Sequence, residues 1–307
     1  MQRQLARKKV KFQDTEIAYY DGGSGTPVML LHGFPDSADV WRKVTPLLIN
    51  DGYRVIAPDL RGFGESAAPV AVGSYQMRRL MKDLLELKKY LDLSQPLDLV
   101  GHDWGALIGW SLITFYPENF KSFVPISVGH PKAYANDGGF EQQKKAWYTM
   151  AFQLKGFAEK LFSQNDWAVL RLFTGNDPEA VSNWIPDLNR PGRFTSALNL
   201  YRANLKPRKH KIPFPPTQVP VFGIIGKDDP YLSRTQMSAS RKYVGGSFSW
   251  LSIKGKHWLP LEQPELIAEL LTNFYTLPLP PLRHRAKHIE AKGWEKFLDT
   301  AKHLKNK

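Results

Sequence analysis

Cysteine is absent from the 307 residues, which excludes disulfides, thiolate nucleophiles and cysteine-based metal sites by composition alone. Long apolar runs are absent as well. None approaches the roughly 20 residues that a bilayer-crossing helix needs, and the basic stretch 1–11 is not followed by an apolar one, so neither secretion nor membrane insertion is expected. The eight histidines show no metal-ligand spacing such as H-E-x-x-H, and no metal or cofactor is expected. A reducing, cytoplasmic setting fits these absences. Acidic residues are scarce, with 29 Asp and Glu against 42 Lys and Arg, a net charge of +13. The surplus sits at the ends: residues 1–11 carry +5 and residues 283–307 another +5, leaving +3 for the body. Basic ends on a near-neutral body read as solvated termini, so no nucleic-acid partner is expected. What remains, 42% hydrophobic and 23% charged, is the composition of a globular protein long enough for a full core and a sizeable insertion.

The pattern along the chain gives the fold class. Short alternating segments at 10–12 and 16–20, closed by Asp21-Gly22-Gly23-Ser24-Gly25, predict an antiparallel edge hairpin. Buried strands at 27–31, 53–57, 97–100 and 123–128 alternate with helical stretches at 41–49, 75–91 and 106–116. Such alternation implies a mostly parallel, doubly wound sheet. It stops near residue 130. From 131 to 216 the chain reads as helices rich in aromatics, including Trp147, Phe152, Phe162, Trp167, Phe173 and Trp184; strand and helix then resume at 219–225, 234–244, 247–253 and 264–275. The domain reading is therefore an α/β core at 1–130 and 217–282, a helical insertion at 131–216, and a basic extension at 283–307 with a terminal helix over 286–304.

The segment Leu99-Val100-Gly101-His102-Asp103-Trp104-Gly105-Ala106 carries the chemistry. It follows an apolar strand and opens a helix, and it fits the G-x-nucleophile-x-G elbow with Asp where hydrolases usually place Ser. The plain alternative is that Asp103 caps the helix that follows. Two further pieces argue otherwise. Asp228 and Asp229 in Gly226-Lys227-Asp228-Asp229-Pro230 follow one strand, and His257 in Lys256-His257-Trp258 follows the next. Nucleophile, acid and histidine in that order at strand ends are the arrangement of the α/β-hydrolase fold. Asp229, three residues after the glycine and before proline, is preferred to Asp228 as the acid. His32-Gly33-Phe34-Pro35 closes the strand at 27–31, where the fold supplies an oxyanion-hole amide, so Phe34 N–H and Trp104 N–H are the expected donors.

Over residues 8–276 the chain resembles the α/β-hydrolase superfamily, and within it the soluble-type epoxide hydrolases. The resemblance rests on His32-Gly33-Phe34-Pro35, Asp59-Leu60-Arg61-Gly62-Phe63-Gly64-Glu65-Ser66, Gly101-His102-Asp103-Trp104-Gly105 and Gly226-Lys227-Asp228-Asp229-Pro230. Dehalogenases share most of these motifs. The insertion discriminates better: Trp147-Tyr148-Thr149-Met150-Ala151-Phe152-Gln153 and Ala197-Leu198-Asn199-Leu200-Tyr201-Arg202 resemble the two tyrosine segments of the epoxide hydrolase cap. The resemblance implies an α/β-hydrolase fold with an inserted helical cap, Tyr148 and Tyr201 as ligands of the epoxide oxygen, and a small-molecule epoxide and water as reactants.

The choice of nucleophile agrees. Serine attacking an alkyl carbon would leave an ether that water does not readily cleave, whereas aspartate leaves an ester that it can. The rival reading is a haloalkane dehalogenase, with the Trp104 indole on the halide. That family usually has a second polar donor in the position of Phe34, which has none. A non-catalytic binding protein of the same fold is the reading from another class, and such proteins typically lose a triad member.

Overall fold

The computed structural model describes residues 6–175, 178–205 and 214–276, together with the backbone of His288–Ile289. Nine strands form one sheet: β1 (Arg7–Lys11), β2 (Glu16–Gly22), β3 (Thr26–Leu31), β4 (Tyr53–Pro58), β5 (Leu97–His102), β6 (Phe120–Ile126), β7 (Val221–Gly226), β8 (Phe248–Ile253) and the two-residue β9 (His288–Ile289). Their spatial order is β1-β2-β4-β3-β5-β6-β7-β8-β9. β1–β2 and β2–β4 pair antiparallel, and every later pairing is parallel. The edge hairpin and the doubly wound sheet expected from the pattern are both present.

β5, β7 and β8 are buried at every position, the signature of parallel strands covered on both faces. The helix Trp104–Phe115, which follows β5, is apolar nearly all round and buried along most of its length, so it belongs to the core rather than to the surface. β3 lies between β4 and β5. The chain leaves β3 to one side and resumes on the other, which opens a crevice beyond the carboxyl ends of β3 and β5 where doubly wound sheets hold their ligands.

Between β6 and β7 the described residues form helices at Pro131–Asn136, Gly139–Lys145, Tyr148–Ala151, Pro178–Leu188 and Arg193–Asn204, and a helical stretch Phe157–Phe173 that is broken by a kink over Gln164, Asn165, Asp166 and Trp167. The fully buried Arg202 knits them together, giving Glu159 two hydrogen bonds at 2.7 and 3.0 Å and the Phe152 carbonyl a third at 2.9 Å. Other bonds tie the insertion to the sheet: Arg42 and Lys43 reach Glu179, and Asn204 receives the Met77 N–H and donates to the Tyr75 carbonyl.

Several element boundaries differ from the sequence expectation by a few residues: β6 starts at Phe120 rather than 123, and the helix expected at 41–49 is a short turn over Ala38–Trp41 followed by Val44–Asn50. The terminal helix expected over 286–304 lies outside the described residues, except that His288 and Ile289 are extended and pair with Trp250 and Leu251, which corrects its start. Among the described residues no helix is long and apolar enough to cross a membrane.

Candidate active site

Asp103 sits between β5 and the following helix with φ 52° and ψ −119°, a left-handed conformation that costs a non-glycine residue strain and is kept where surrounding structure enforces it. Its neighbours enforce it here. A Cβ on Gly101 would lie 2.4 Å from the Gly105 carbonyl oxygen, and one on Gly105 would lie 2.3 Å from that of Leu31. Only glycine lets backbone approach so closely on both sides of the turn.

One carboxylate oxygen, Oδ1, accepts the Phe34 N–H at 2.7 Å; the other, Oδ2, lies 3.7 Å from His257 Nε2. His257 Nδ1 is 2.9 Å from Asp229 Oδ2, and Asp229 Oδ1 accepts the N–H groups of Tyr231 and Leu232 at 2.8 and 2.9 Å. Asp229 is buried whereas Asp228 is exposed, so the structure brings Asp229 and not Asp228 to the histidine. Trp104 opens the helix, and its N–H is among those a helix leaves without an internal acceptor. Asp103, Asp229, His257 and the Phe34 and Trp104 amides thus converge at the carboxyl ends of β3, β5, β7 and β8.

The charges interlock. Burial alone would lower the His257 pKa, but Asp229 and Asp103 together raise it to about 10. Burial alone would raise Asp103, but His257, His102 and the Phe34 N–H hold it below the ordinary carboxylate range. The two groups thus favour each other's charged forms, His257 as imidazolium and Asp103 as carboxylate.

The flanking motifs hold the oxyanion loop. His32, neutral because burial depresses its pKa to about 4, accepts the Leu60 N–H through Nε2 at 2.8 Å and directs Nδ1 to the Gly33 carbonyl. Asp59 accepts the N–H groups of Ala38 and Glu65, each at 2.8 Å, and Arg61 forms a two-pronged pair with buried Asp83. The segment 59–66 braces the loop from behind.

Tyr148 and Tyr201 descend from the insertion. Tyr201 packs edge-on against Phe34 and Trp104, with centroids 5.3 and 5.0 Å away. Tyr148 lies 6.2 Å from Tyr201 and 5.6 Å from Tyr231, whose ring is 5.1 Å from His257. The rings therefore form an arc from the oxyanion loop to the histidine. Burial and the Asp103 charge raise both phenols well above 10, Tyr148 also through Tyr134, so both are protonated at neutral pH.

Sequence reasoning missed several residues. Buried Asp36 accepts the Trp184 indole N–H at 2.5 Å and the Trp258 indole N–H at 2.9 Å, one from the insertion and one from the residue after His257. Burial pushes its carboxyl up to about 7 against those two donors. Gln142 holds the Tyr231 carbonyl and the Ser233 N–H, and Lys145 the Asp229 carbonyl, so a helix of the insertion grips the loop that carries Asp229. His102 Nε2 and Ser127 Oγ both contact the His257 carbonyl. His102 could have been found from its place in the elbow. The others have no local signal, because their partners are more than 80 residues away.

Two cavities border the site: one of about 880 Å³ touches Trp104, Leu107 and Pro131, and one of about 610 Å³ touches Phe173, Tyr231 and Trp258. Among the described residues, the acids close enough to share a cation are Asp14, Asp83 and Glu86, and Asp83 is already committed to Arg61.

Against known proteins, residues 26–264 match the model of the α/β-hydrolase fold. Epoxide hydrolase 4 of Homo sapiens is 30% identical over 286 residues, covering 86% of this chain and 77% of that protein. The AB hydrolase superfamily protein YfhM of Bacillus subtilis (strain 168) is also 30% identical, covering 81% of this chain and 90% of the relative. Among solved structures, the epoxide hydrolase VrEH1 from Vigna radiata superposes with a TM-score of 0.74 at 26% identity, over 90% of this chain and 98% of that one.

Proposed function

The chain belongs to the α/β-hydrolase family, and from that premise we propose that it is an epoxide hydrolase that opens its substrate through a covalent ester on Asp103. The observation that carries the reading is the closeness of three buried groups, a carboxylate at a strand-to-helix elbow and two phenols that feel its charge and stay protonated. Asp103 Oδ2 attacks an epoxide carbon, the carbon–oxygen bond breaks, and Tyr148 or Tyr201 gives the departing alkoxide its proton. An alkoxide is a poor leaving group without that proton, and a placed general acid contributes roughly 10² to 10⁴ in rate.

The charge balance at His257 times the second step. While Asp103 is a carboxylate, His257 is held as the imidazolium and cannot take a proton. Alkylation turns Asp103 into a neutral ester and leaves one tyrosine as a phenolate; with one of the two charges lost, the imidazolium returns its proton to that phenolate and the neutral imidazole is left as a base. It then draws a proton from water attacking the ester carbonyl, Asp229 stabilises the imidazolium that forms, and the Phe34 and Trp104 amides receive the oxyanion. The product is a vicinal diol. In this reading residues 131–216 are a lid that carries both tyrosines and covers Asp103.

A haloalkane dehalogenase is the weaker reading, because Phe34 offers no side-chain donor for a halide and a halide does not need the two buried phenols that face the Asp103 charge. Parallel assays with styrene oxide and a bromoalkane test the proposal. Diol from the first and no bromide from the second is the expected outcome, and bromide release without diol would reverse the assignment.

A further inference from the structure

The stretch that carries Tyr148 presents an unusual outer face. Two short helices, Gly139–Lys145 and Tyr148–Ala151, are followed by turns over 152–156 and a break at Gly156, with φ 76°, before the helix that starts at Phe157. On the inner side Gln142, Tyr148, Phe152 and Ala158 are buried. Phe140, Trp147, Met150, Leu154 and Phe157 of the same stretch are instead turned to solvent. All five are exposed, Trp147 by 61% and Met150 by 73%, as is Leu172 by 78%. A surface helix of a water-soluble protein normally carries polar residues there, and a contiguous apolar face marks an interaction site.

The residues between and around them are basic. Lys144, Lys155 and Lys160 are exposed, and Lys144 lies over the Phe140 ring at 4.5 Å. The nearby acids are mostly occupied: Glu159 by Arg202 and Glu141 by Lys145. Aromatic and aliphatic side chains bordered by lysines are what an interfacial segment uses, the apolar groups entering the acyl boundary while the ammonium heads stay at the phosphates. Trp147 and Leu172 also line the rim of the 610 Å³ cavity whose far wall is Phe173, Tyr231 and Trp258; Tyr231 and Trp258 each stand about 5 Å from His257.

We propose that the face formed by Phe140, Trp147, Met150, Leu154, Phe157 and Leu172, with Lys144, Lys155 and Lys160, docks the protein peripherally on an anionic lipid surface. Docking is a property of the outer face and is independent of the chemistry at Asp103. Only its consequence rests on the epoxide hydrolase reading: the cavity rim would then meet the bilayer, and apolar epoxides would pass from lipid to the site without crossing water.

The full chain, mixed with vesicles of phosphatidylcholine containing 30% phosphatidylserine, is expected to co-sediment. The triple variant M150Q/L154Q/F157Q, whose altered side chains are all exposed, is expected to bind at least ten-fold more weakly at an unchanged melting temperature. Lys155→Gln with Lys160→Gln is expected to erase the preference for phosphatidylserine over pure phosphatidylcholine vesicles. Three results would each overturn the proposal: no co-sedimentation of the parent; equal binding of the triple variant, which would place attachment on the basic termini; or a parent that ignores vesicles yet dimerises where the triple variant is monomeric, which would make the face a contact between copies. None of these readouts uses turnover, so failure here leaves the epoxide assignment untouched.

Discussion

Below Asp103 the site is made of backbone, and above it of side chains. The lower half consists of strand ends, the elbow between Gly101 and Gly105, and amides of the oxyanion loop, positioned by carbonyl contacts that no Cβ fits between. The upper half consists of rings in edge-on contact, held by single side-chain links such as Arg202 to Glu159 and Trp184 to Asp36. The lower half holds the Asp103 side chain between the Phe34 N–H and His257. The upper half supplies Tyr148 and Tyr201 and is bonded to the lower one through Gln142 and Lys145, which hold the loop that carries Asp229.

The comparison breaks most violently at Gly105→Ala. The new methyl would press on the Leu31 and His32 carbonyls, neither of which can retreat without disturbing β3, and a loss of more than about 4 kcal/mol is expected, read as a collapsed urea midpoint or insoluble protein. A variant near parental stability would show the elbow to be more plastic than its contacts imply.

The upper half should fail differently, in function and not in folding. Tyr148→Phe with Tyr201→Phe keeps both rings and removes both hydroxyls, so the midpoint should move little while epoxide turnover falls by roughly 10² to 10⁴, with each single change costing about ten-fold or more. Retention of near-parental turnover by the double variant would remove the tyrosines from the chemistry.

A smaller effect sharpens the lower half. Because the folded His257 pKa is raised to about 10 above its ordinary value near 6.5, the stability it contributes is fully present below about pH 6.5 and is lost as pH rises through about 10. Asp103→Asn removes one of the two carboxylates responsible. The His257 ring nitrogens, followed by ¹⁵N NMR, should titrate at lower pH, and the decline of urea midpoint between pH 6.5 and 10 should flatten. An unmoved titration would mean that Asp103 does not hold that proton.

The same division explains what was legible in the sequence. The elbow, the oxyanion loop and the triad histidine are local patterns at strand ends, and they are found where strand, glycine and polar residue coincide. Asp229 is preferred to Asp228 already from its place after Gly226 and before Pro230, and the side-chain directions agree, since Asp229 meets His257 while Asp228 is exposed. Tyr148 and Tyr201 came from resemblance alone, since two aromatics in an aromatic-rich helical segment have no distinguishing period. Asp36, Gln142 and Lys145 were invisible, because each works through a partner from a distant part of the chain. The terminal residues 286–304 showed a helical pattern, yet the two of them that are described pair as strand; an amphipathic period is a weaker constraint than an available sheet edge.

Asp103 and His257 are proposed to act in different halves of one reaction, and trapping separates those halves most directly. His257→Gln, mixed with styrene oxide and examined by intact-protein mass spectrometry, should gain the mass of one substrate, with digestion placing it on the peptide containing Asp103, while Asp103→Asn gains none. An unmodified His257→Gln protein that still releases diol would mean that water attacks the epoxide directly, and would contradict the covalent mechanism.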